Sequence, residues 1–298
     1  MANPRLDHYL SLEGARQMPN ALDYYLEAWK LSDPQALATT ASSHVYTVTA
    51  DDRRVVLKLL TDRGVEEREG AMALKYFDGQ GAVRLLREDE DAYLLEYAEG
   101  DNLVGLVRSG ADDEATVIIG DVLNQLHQLN NQPLPDTLPS LKRWFRSLFE
   151  KAALDNSQGL NSVYTRAAPL ADYLISQNRD VRVLHGDIHH ENIRKHPQRG
   201  WLAFDPKGLV GERTYDAANT LCNPMDMPNI VENEARILRT SGILADKMQI
   251  EQPRVLAFVF IYTCLSASWF VSDGNEAAAQ HDLTIAELVE PHIRHSSF

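Results

Sequence analysis

The chain has 298 residues, of which 44% are hydrophobic and 24% charged, a composition typical of a soluble globular protein with one large domain or two lobes. Its formal net charge of −14 argues against a nucleic-acid-binding protein, because such a protein needs a basic face to displace counterions. The two cysteines lie far apart, and residues 1–17 contain no apolar stretch typical of a signal peptide. We therefore expect a cytoplasmic protein without a disulfide framework.

The residues before Gly100 alternate between strand and helix patterns. Apolar residues recur at helical spacing before Asp33-Pro34, which we interpret as a break. A helix and five strands are predicted next, in the order three strands, one helix, two strands. The predicted ranges are 36–40, 44–49 and 54–60 for the first strands, 65–77 for the helix, and 82–86 and 92–97 for the last two strands, which would form a hairpin.

After Gly100 the patterns become mainly helical. We place a lobe boundary between residues 98 and 99, so that residues 1–98 form an N-terminal lobe and residues 99–298 a larger helical lobe. Sheet and helix are then segregated along the chain, which indicates an α+β protein. The first predicted helices of the larger lobe are 102–108, 113–129, 138–154 and 161–177.

The uncharged run 255–271 is at the lower limit of length for a membrane span. Ser, Thr and Cys interrupt it, and no basic cluster follows it. These features favour a helix buried inside the larger lobe, so we expect no association with a membrane.

Lys58 lies late in the third predicted strand, between aliphatic residues. A lysine in such a place is costly to bury unless an anion accompanies it, so it is either an edge-strand lysine that reaches solvent or a ligand of nucleotide phosphates. The helix that follows carries several glutamates, which favours the second interpretation. Glu69 is the predicted partner because Ala73 and Leu74 continue its helical face, and Glu66 is the alternative.

Two further segments occupy places where a nucleotide-binding lobe contacts its ligand. The loop 39–43 stands where a phosphate-covering loop would lie, but it contains no glycine, and a plain polar hairpin turn is an equal alternative. Within it we assign only Ser43 to the nucleotide. The segment from Glu96 to Ala98 ends the last predicted strand, and its backbone groups are predicted to meet the base of the nucleotide.

The stretch 183–206 carries the groups that phosphoryl transfer requires. Asp187 precedes Asn192 by five positions, as in the kinase catalytic loop, and Asp205 ends a second short strand. A carboxylate can align and deprotonate a hydroxyl, while an amide oxygen and a second carboxylate can bind Mg²⁺. We predict that this hairpin carries the catalytic groups.

Two other residues are predicted to support the catalytic hairpin. His185 would orient the loop through a backbone hydrogen bond, and Asp216 would brace it, although Asp216 could instead only cap the following helix. The histidines at 185, 189 and 190 beside Asp187 also permit a metallohydrolase. That alternative is weakened because the order H-x-D-x-H-H differs from the hydrolase pattern H-x-H-x-D-H.

Several of these segments resemble one known family. The runs LHGDIHHENI and WLAFDPKGLVGERTYDAAN are similar to the aminoglycoside phosphotransferase and choline kinase superfamily, and more narrowly to its streptomycin 6-phosphotransferase and hydroxyurea phosphotransferase branch. The segments 69–86 and 94–103 also resemble that branch. The similarity covers residues 35–222 approximately.

The resemblance implies a two-lobed, protein-kinase-like fold with ATP and Mg²⁺ in the cleft. By motif match, Asp187 would be the catalytic base and Asn192 and Asp205 the Mg²⁺ ligands, with Lys58 as the phosphate clamp held by Glu69. The substrate-facing helices cannot be matched residue by residue, so the resemblance does not identify the acceptor.

The function predicted is ATP- and Mg²⁺-dependent phosphorylation of a hydroxyl on a small molecule. The acceptor would be an aminoglycoside such as streptomycin or an N-hydroxy compound such as hydroxyurea, and the protein would be a monomer or a homodimer. A nucleotide-binding pseudokinase that acts as an interaction module is the alternative from another class. The glycine-free loop favours it slightly, whereas the complete set of catalytic groups disfavours it.

Overall fold

A computed structural model of the protein describes residues 21–62, 64, 67–128 and 132–293. The part of the predicted N-terminal helical segment that extends to residue 20 lies outside the described residues. The elements that precede the connector between the lobes are α1 (Ala21–Trp29), β1 (Ser32–Thr39), β2 (Ser43–Ala50), β3 (Arg53–Leu60), α2 (Glu67–Phe77), β4 (Leu85–Asp89) and β5 (Ala92–Glu96).

Strands β1–β5 form an antiparallel sheet in the order β1-β2-β3-β5-β4, with β3 at its centre. Side chains alternate between the two faces of a strand, so Leu57 and Leu59 share one face of β3, and Lys58 points to the other. The two leucines pack in a core cluster with Tyr25 and Trp29 of α1. The opposite face of β3 is therefore the one that can bind a ligand.

Two details of this lobe differ from the prediction. Asp33-Pro34 lies inside β1 instead of ending an element, because the chain accommodates Asp33 at a positive φ of 51° with an irregular register beside it. The predicted strand 82–86 begins only at Leu85. Ala82 forms an isolated parallel bridge with Ala203 instead, so this segment joins the lobes and does not extend the sheet.

The larger lobe is mainly helical, and short strands flank the loop that contains Asp187 and Asn192. Its helices are α3 (Val104–Arg108), α4 (Asp112–Leu126), α5 (Leu141–Trp144), α6 (Arg146–Ser157), α7 (Val163–Ser176), α8 (Tyr215–Ala218), α9 (Pro228–Val231), α10 (Glu234–Met248), α11 (Gln252–Ser272) and α12 (Glu276–Val289). Its strands are β6 (Val181–Leu184), β7 (Ile193–His196), β8 (Gly200–Ala203) and β9 (Leu209–Glu212). Strand β6 pairs with β9 and β7 with β8, and the 3₁₀ turns are His190–Asn192, Asn219–Cys222 and Glu290–His292.

Helix α11 is the centre of the larger lobe. Within the described residues it is the one helix long and apolar enough to cross a membrane, but 78% of its most apolar window is buried by the protein itself. It packs against α7, α8, α10 and α12. The prediction of a buried core helix for the run 255–271 is therefore confirmed.

A buried ion pair fixes the start of α11. The Arg254 guanidinium donates from Nε and Nη2 to Glu212 of β9, with both distances 2.5 Å, and the two residues are 2% and 1% exposed. Arg254→Met would leave the Glu212 carboxylate buried without its counter-ion. We expect it to lower the free energy of unfolding by about 3–5 kcal/mol in urea denaturation.

The control for this substitution is Arg146→Ala, which removes an exposed pair with Glu150. It should change the unfolding midpoint little, because exposed pairs are screened by solvent. The double variant Arg254→Met with Glu212→Leu should recover much of the lost stability, since it leaves no uncompensated charge. Equal midpoints for Arg254→Met and wild type would contradict the proposed importance of the pair.

Candidate active site

Lys58 lies between two carboxylates on the ligand-facing side of the sheet. Its Nζ donates to Glu67 Oε2 at 2.5 Å and to Asp205 Oδ1 at 2.6 Å, and the residue is 8% exposed. Burial disfavours the ammonium, but Asp205 and then Glu67 outweigh it and raise the pKa of Lys58 overall. The lysine is therefore charged and fixed at the junction of the two lobes.

The prediction that Glu69 pairs with Lys58 is wrong, because the ion pair is formed by Glu67. Two helical positions correspond to a rotation of about 200°, so Glu67 and Glu69 point in nearly opposite directions. Glu69 lies on the face of α2 that continues to Ala73, and that face packs on the core of the larger lobe. The alternative, Glu66, lies outside the described residues.

A cleft of about 530 Å³ lies between the lobes and contains Lys58. Among the predicted nucleotide residues, Ser43, Glu96 and Ala98 line it, together with Lys58. The structure also brings residues to the cleft that the sequence did not indicate, and these are Leu37, Ala38, Val45, Val56, Glu67, Val83, Leu95, Arg194, Phe204 and Lys207. A hollow of about 560 Å³ beside α5 and α6 contains none of the predicted groups, so we assign the chemistry to the interlobe cleft.

Two of the cleft residues have side chains committed to local structure. Ser43 is 2% exposed, and its hydroxyl shares a hydrogen bond with Thr40 in the turn that joins β1 and β2. The Glu96 carboxylate accepts from the backbone N–H of Arg84 at 3.0 Å and pairs with Arg199. Any contact of Glu96 with a nucleotide would therefore come from its backbone, as position alone predicted.

Asp187 lies in the loop between β6 and β7, beside the cleft. Its Oδ1 accepts from Asn219 Nδ2 at 2.8 Å, and its Oδ2 lies 3.3 Å from Asn192 Nδ2 and 3.9 Å from Lys207 Nζ. The side chain is 26% exposed, so a substrate can reach it. One carboxylate oxygen thus accepts a short hydrogen bond, and the other accepts a longer one from Asn192 and lies near Lys207.

Asp216 and His185 hold this loop from below. Both oxygens of the buried Asp216 accept backbone N–H bonds, from His185 at 2.9 Å and Gly186 at 2.7 Å. Burial lowers the pKa of His185, so its ring is neutral; it donates through Nε2 to the carbonyl of Phe204 at 3.0 Å and accepts from the N–H of Asp187 at 3.3 Å. Both residues occupy the bracing positions predicted for them.

Asp205 faces Lys58 from the other lobe at the end of β8. Burial alone would raise the pKa of Asp205, but Lys58 and then Lys207 outweigh it and lower that pKa overall. The segment after Asp205 packs directly on the start of α2. A Cβ on Gly208, which has a φ of +71°, would lie 2.1 Å from the backbone oxygen of Glu69, so no other residue fits there without a shift of the backbone.

Comparisons with known proteins agree with this geometry. Residues 28–274 match the model of one protein family, described as aminoglycoside/hydroxyurea antibiotic resistance kinase. The chain belongs to this family. The kinase is 37% identical to the streptomycin 3''-kinase of Klebsiella pneumoniae over 84% of its own length and 92% of that protein. It is 28% identical to the streptomycin 6-kinase of Streptomyces griseus, over 91% and 89% of the two chains.

Solved structures confirm the two-lobed, protein-kinase-like fold of this enzyme. The amicoumacin kinase hAmiN, solved in complex with AMP-PNP, Ca²⁺ and Ami, superposes with a TM-score of 0.61 at 15% identity, covering 90% of this chain and 93% of that one. The likeness to the solved structure concerns the fold alone. Family membership makes the enzyme a phosphotransferase with an alcohol group as acceptor, as the resemblance of the sequence implied.

The residues predicted to bind a metal fit Mg²⁺ in this kinase. Asn192 uses its Nδ2 to donate to the backbone oxygen of Asp187 at 3.0 Å, which leaves its Oδ1 available. The backbone N–H of Phe204 donates to the carbonyl of Asn192 at 3.0 Å and thus brings Asp205 beside it across the β7–β8 hairpin. One amide oxygen and one carboxylate, completed by phosphate oxygens and water, suit a hard divalent cation.

The metallohydrolase alternative is not favoured by the arrangement of the histidines. In the described part of the chain, no group of three or more His, Cys, Asp or Glu side chains converges as a metal site would require. His185 is turned to a backbone carbonyl, and His190 is buried with both ring nitrogens free of hydrogen-bond partners among the described residues. Family membership points the same way.

The kinase site contains three contributors that sequence reasoning missed: Glu67, Lys207 and Asn219. Glu67 was available from the same helix and was passed over in favour of the wrong helical face. Lys207 received no role in the sequence prediction, although it follows Asp205 by two positions. Asn219 ends the family-like run that begins at Trp201, but that run gave no indication of a contact with Asp187, which lies 32 positions away in the chain.

Proposed function

We propose that this enzyme transfers the γ-phosphoryl group of ATP, with Mg²⁺, to a hydroxyl of streptomycin or a related aminoglycoside, or to an N-hydroxy compound such as hydroxyurea. The observation that carries the proposal is the meeting of two charged groups across one cleft. The ion-paired Lys58 and Asp205 line its proposed nucleotide side, and the partly exposed Asp187 lies at its edge, 3.9 Å from the cleft residue Lys207. This is the arrangement that in-line phosphoryl transfer needs.

In the proposed reaction, Asp187 acts on the acceptor. Its carboxylate accepts a hydrogen bond from the acceptor hydroxyl and takes its proton as the new oxygen–phosphorus bond forms. The bond between the γ-phosphorus and its bridging oxygen breaks, and ADP leaves with that oxygen. Lys58 contacts the nucleotide phosphates, with Glu67 keeping its ammonium in place.

Asn192 and Asp205 would hold Mg²⁺ in this scheme. The bound ion would offset the negative charge of the phosphates. The hydrogen bond from Asn192 Nδ2 to the backbone oxygen of Asp187 supports this scheme, because it holds Asn192 next to the proposed base at the start of the β7–β8 hairpin.

Experiments must identify the acceptor, because the two relatives above are named for different positions of streptomycin. A coupled assay of ADP release should be run with streptomycin, other aminoglycosides, hydroxyurea, amino alcohols and sugars, followed by NMR location of the phosphate on the product. We expect turnover with streptomycin, another aminoglycoside or hydroxyurea, and we expect the rate to depend on Mg²⁺. Turnover restricted to amino alcohols or sugars would overturn the proposed acceptor.

The pseudokinase alternative makes the opposite prediction in the same assay. ATP binding without turnover across the whole panel would support an interaction module. The membership of a family described as resistance kinases disfavours that outcome.

We also propose a cytoplasmic enzyme that is a monomer or a homodimer, as the sequence predicted.

Single replacements of the α2 glutamates Glu67 and Glu69 distinguish their roles. Glu67→Gln removes one of the two charges that hold Lys58, whereas Glu69→Gln leaves both in place. We expect Glu67→Gln to raise the KM for ATP on the order of tenfold, equivalent to about 1.4 kcal/mol, and Glu69→Gln to change it little. Steady-state kinetics at saturating acceptor measures the KM for ATP of both variants. A larger effect of Glu69→Gln would favour Glu69, the partner that the sequence predicted for Lys58, over Glu67.

A further inference from the structure

We infer that Asn219 is a positioning residue for the phosphoryl transfer, and that it selects Oδ2 of Asp187 as the oxygen that takes the proton. The inference rests on the proposed role of Asp187 as the base. Asn219 lies at the start of the 3₁₀ turn Asn219–Cys222, is 7% exposed, and donates from Nδ2 to Asp187 Oδ1 at 2.8 Å.

The orientation of the Asn219 amide is determined by a second asparagine. Asn223 Nδ2 donates to Asn219 Oδ1 at 2.8 Å and to the Asn219 backbone carbonyl at 2.9 Å. Because an amide nitrogen can only donate, the oxygen of Asn219 must face Asn223 and its NH₂ must face Asp187. A carboxylate in that place could not make both contacts.

A buried ion pair in turn fixes this pair of asparagines. Arg236 donates to the carbonyl of Asn223 at 3.0 Å and forms a two-pronged pair with Asp112 at 2.8 Å and 3.0 Å. Arg236 and Asp112 are 3% and 8% exposed. Such pairs are rigid because the guanidinium and the carboxylate share one plane. The position of Asn219 is thus determined by the fold of the larger lobe, independently of any substrate.

The two oxygens of Asp187 consequently differ. Oδ1 accepts a 2.8 Å bond from a buried amide, while Oδ2 has a longer contact of 3.3 Å with Asn192 and lies 3.9 Å from Lys207, a residue that lines the cleft. Rotation about the Cβ–Cγ bond would exchange the two oxygens, and the bond to Asn219 opposes that rotation. Oδ2 therefore stays turned toward the cleft, where the acceptor hydroxyl and the phosphate would meet.

Three variants test this inference in the full-length enzyme. Asn219→Ala removes the bond, Asn219→Asp keeps the size but replaces the donor by a carboxylate, and Asn124→Ala is a matched control that removes a different asparagine bond, to the carbonyl of Lys247. We expect Asn219→Ala to lower kcat about 10- to 100-fold, since small misplacement of a catalytic group has effects of that size. The KM for ATP and the melting temperature should stay near the wild-type values, and Asn124→Ala should keep wild-type kcat.

The variant Asn219→Asp keeps the size of the side chain at residue 219 and changes only its hydrogen-bonding chemistry. Two carboxylates at hydrogen-bond distance share a proton, so Asn219→Asp should move the acid limb of the kcat–pH profile to higher pH. This shift follows from the proximity of the two carboxylates, so it tests the contact between residues 219 and 187, while the split between kcat and KM in Asn219→Ala tests positioning. A crystal structure of Asn219→Ala supplies a readout that does not depend on activity, and it should show the Asp187 carboxylate rotated from its wild-type orientation.

The outcomes are separable from those of the proposed function. Wild-type turnover together with wild-type kcat in Asn219→Ala, or an unmoved Asp187 in its crystal structure, would overturn the inference and leave the kinase assignment intact. Absence of wild-type turnover with every acceptor would overturn both. If Asn219→Ala unfolds, the crystal structure of Asn219→Asp decides, and an Asp187 carboxylate that keeps its wild-type orientation there counts against the inference.

Discussion

Asp187→Ala should lower kcat by a factor of about 10² or more while the protein remains folded and binds nucleotide. The structure gives the physical reason for both halves of this expectation. The Asp187 carboxylate lies at the edge of the cleft and is partly exposed, so its loss removes the group that would take the hydroxyl proton. The loop itself is held by Asp216 through the backbone of His185 and Gly186, which the substitution leaves in place.

The companion variant Asp187→Asn keeps the size of the side chain and removes only its basicity. It should be about as inactive as Asp187→Ala, whereas a residue that acts by shape would tolerate the change. Asp172→Ala, on the exposed face of α7, is the matched control and should retain wild-type kcat. Circular dichroism and the affinity for AMP-PNP establish that the variants are folded. A folded Asp187→Ala with near-normal kcat would remove Asp187 from the chemistry.

The sequence predicted the position of the β7–β8 hairpin because the information for it is local. The loop from Asp187 to Asn192 and the strands β7 and β8 lie within one short stretch, so a fixed spacing implies a fixed geometry. The same holds for Lys58, whose place in an aliphatic strand implied that it needs anionic partners. The positions of these residues follow from the geometry of a hairpin and of a strand, which allow few alternative arrangements.

Prediction failed where helical phase or long-range packing decided the contact. Glu67 and Glu69 are both acidic and both lie in the first turn of α2, and only the docking of that helix on the other lobe determines which one faces Lys58. The position of Asn219 depends on Asn223, four positions along the chain, and on Arg236 of α10, which the fold brings to the carbonyl of Asn223. No spacing in the sequence predicted the contacts that Asn219 makes with Asp187 and that Arg236 makes with Asn223, because the folding of the larger lobe decides them.

Asp205→Asn has the second large effect that we expect. An amide is a weaker ligand of Mg²⁺ than a carboxylate and carries no charge to offset Lys58. We expect kcat to fall about 10²-fold, the scale seen when one electrostatic contact to the transferring group is removed. The Mg²⁺ concentration for half-maximal rate should also rise. Kinetics over a range of Mg²⁺ concentrations at saturating ATP measures both quantities.

Asp205 contacts Lys58 as well, so its loss combines a metal effect with a lysine effect. Glu67→Gln separates the two, because it disturbs Lys58 from the other side without touching the predicted metal ligands. If Asp205 binds Mg²⁺, only Asp205→Asn shifts the Mg²⁺ dependence, and both variants change the KM for ATP. An unchanged Mg²⁺ dependence in Asp205→Asn would instead make Asp205 a second anchor of Lys58. Asn192 would then be left without the carboxylate that a two-ligand Mg²⁺ site on this hairpin requires.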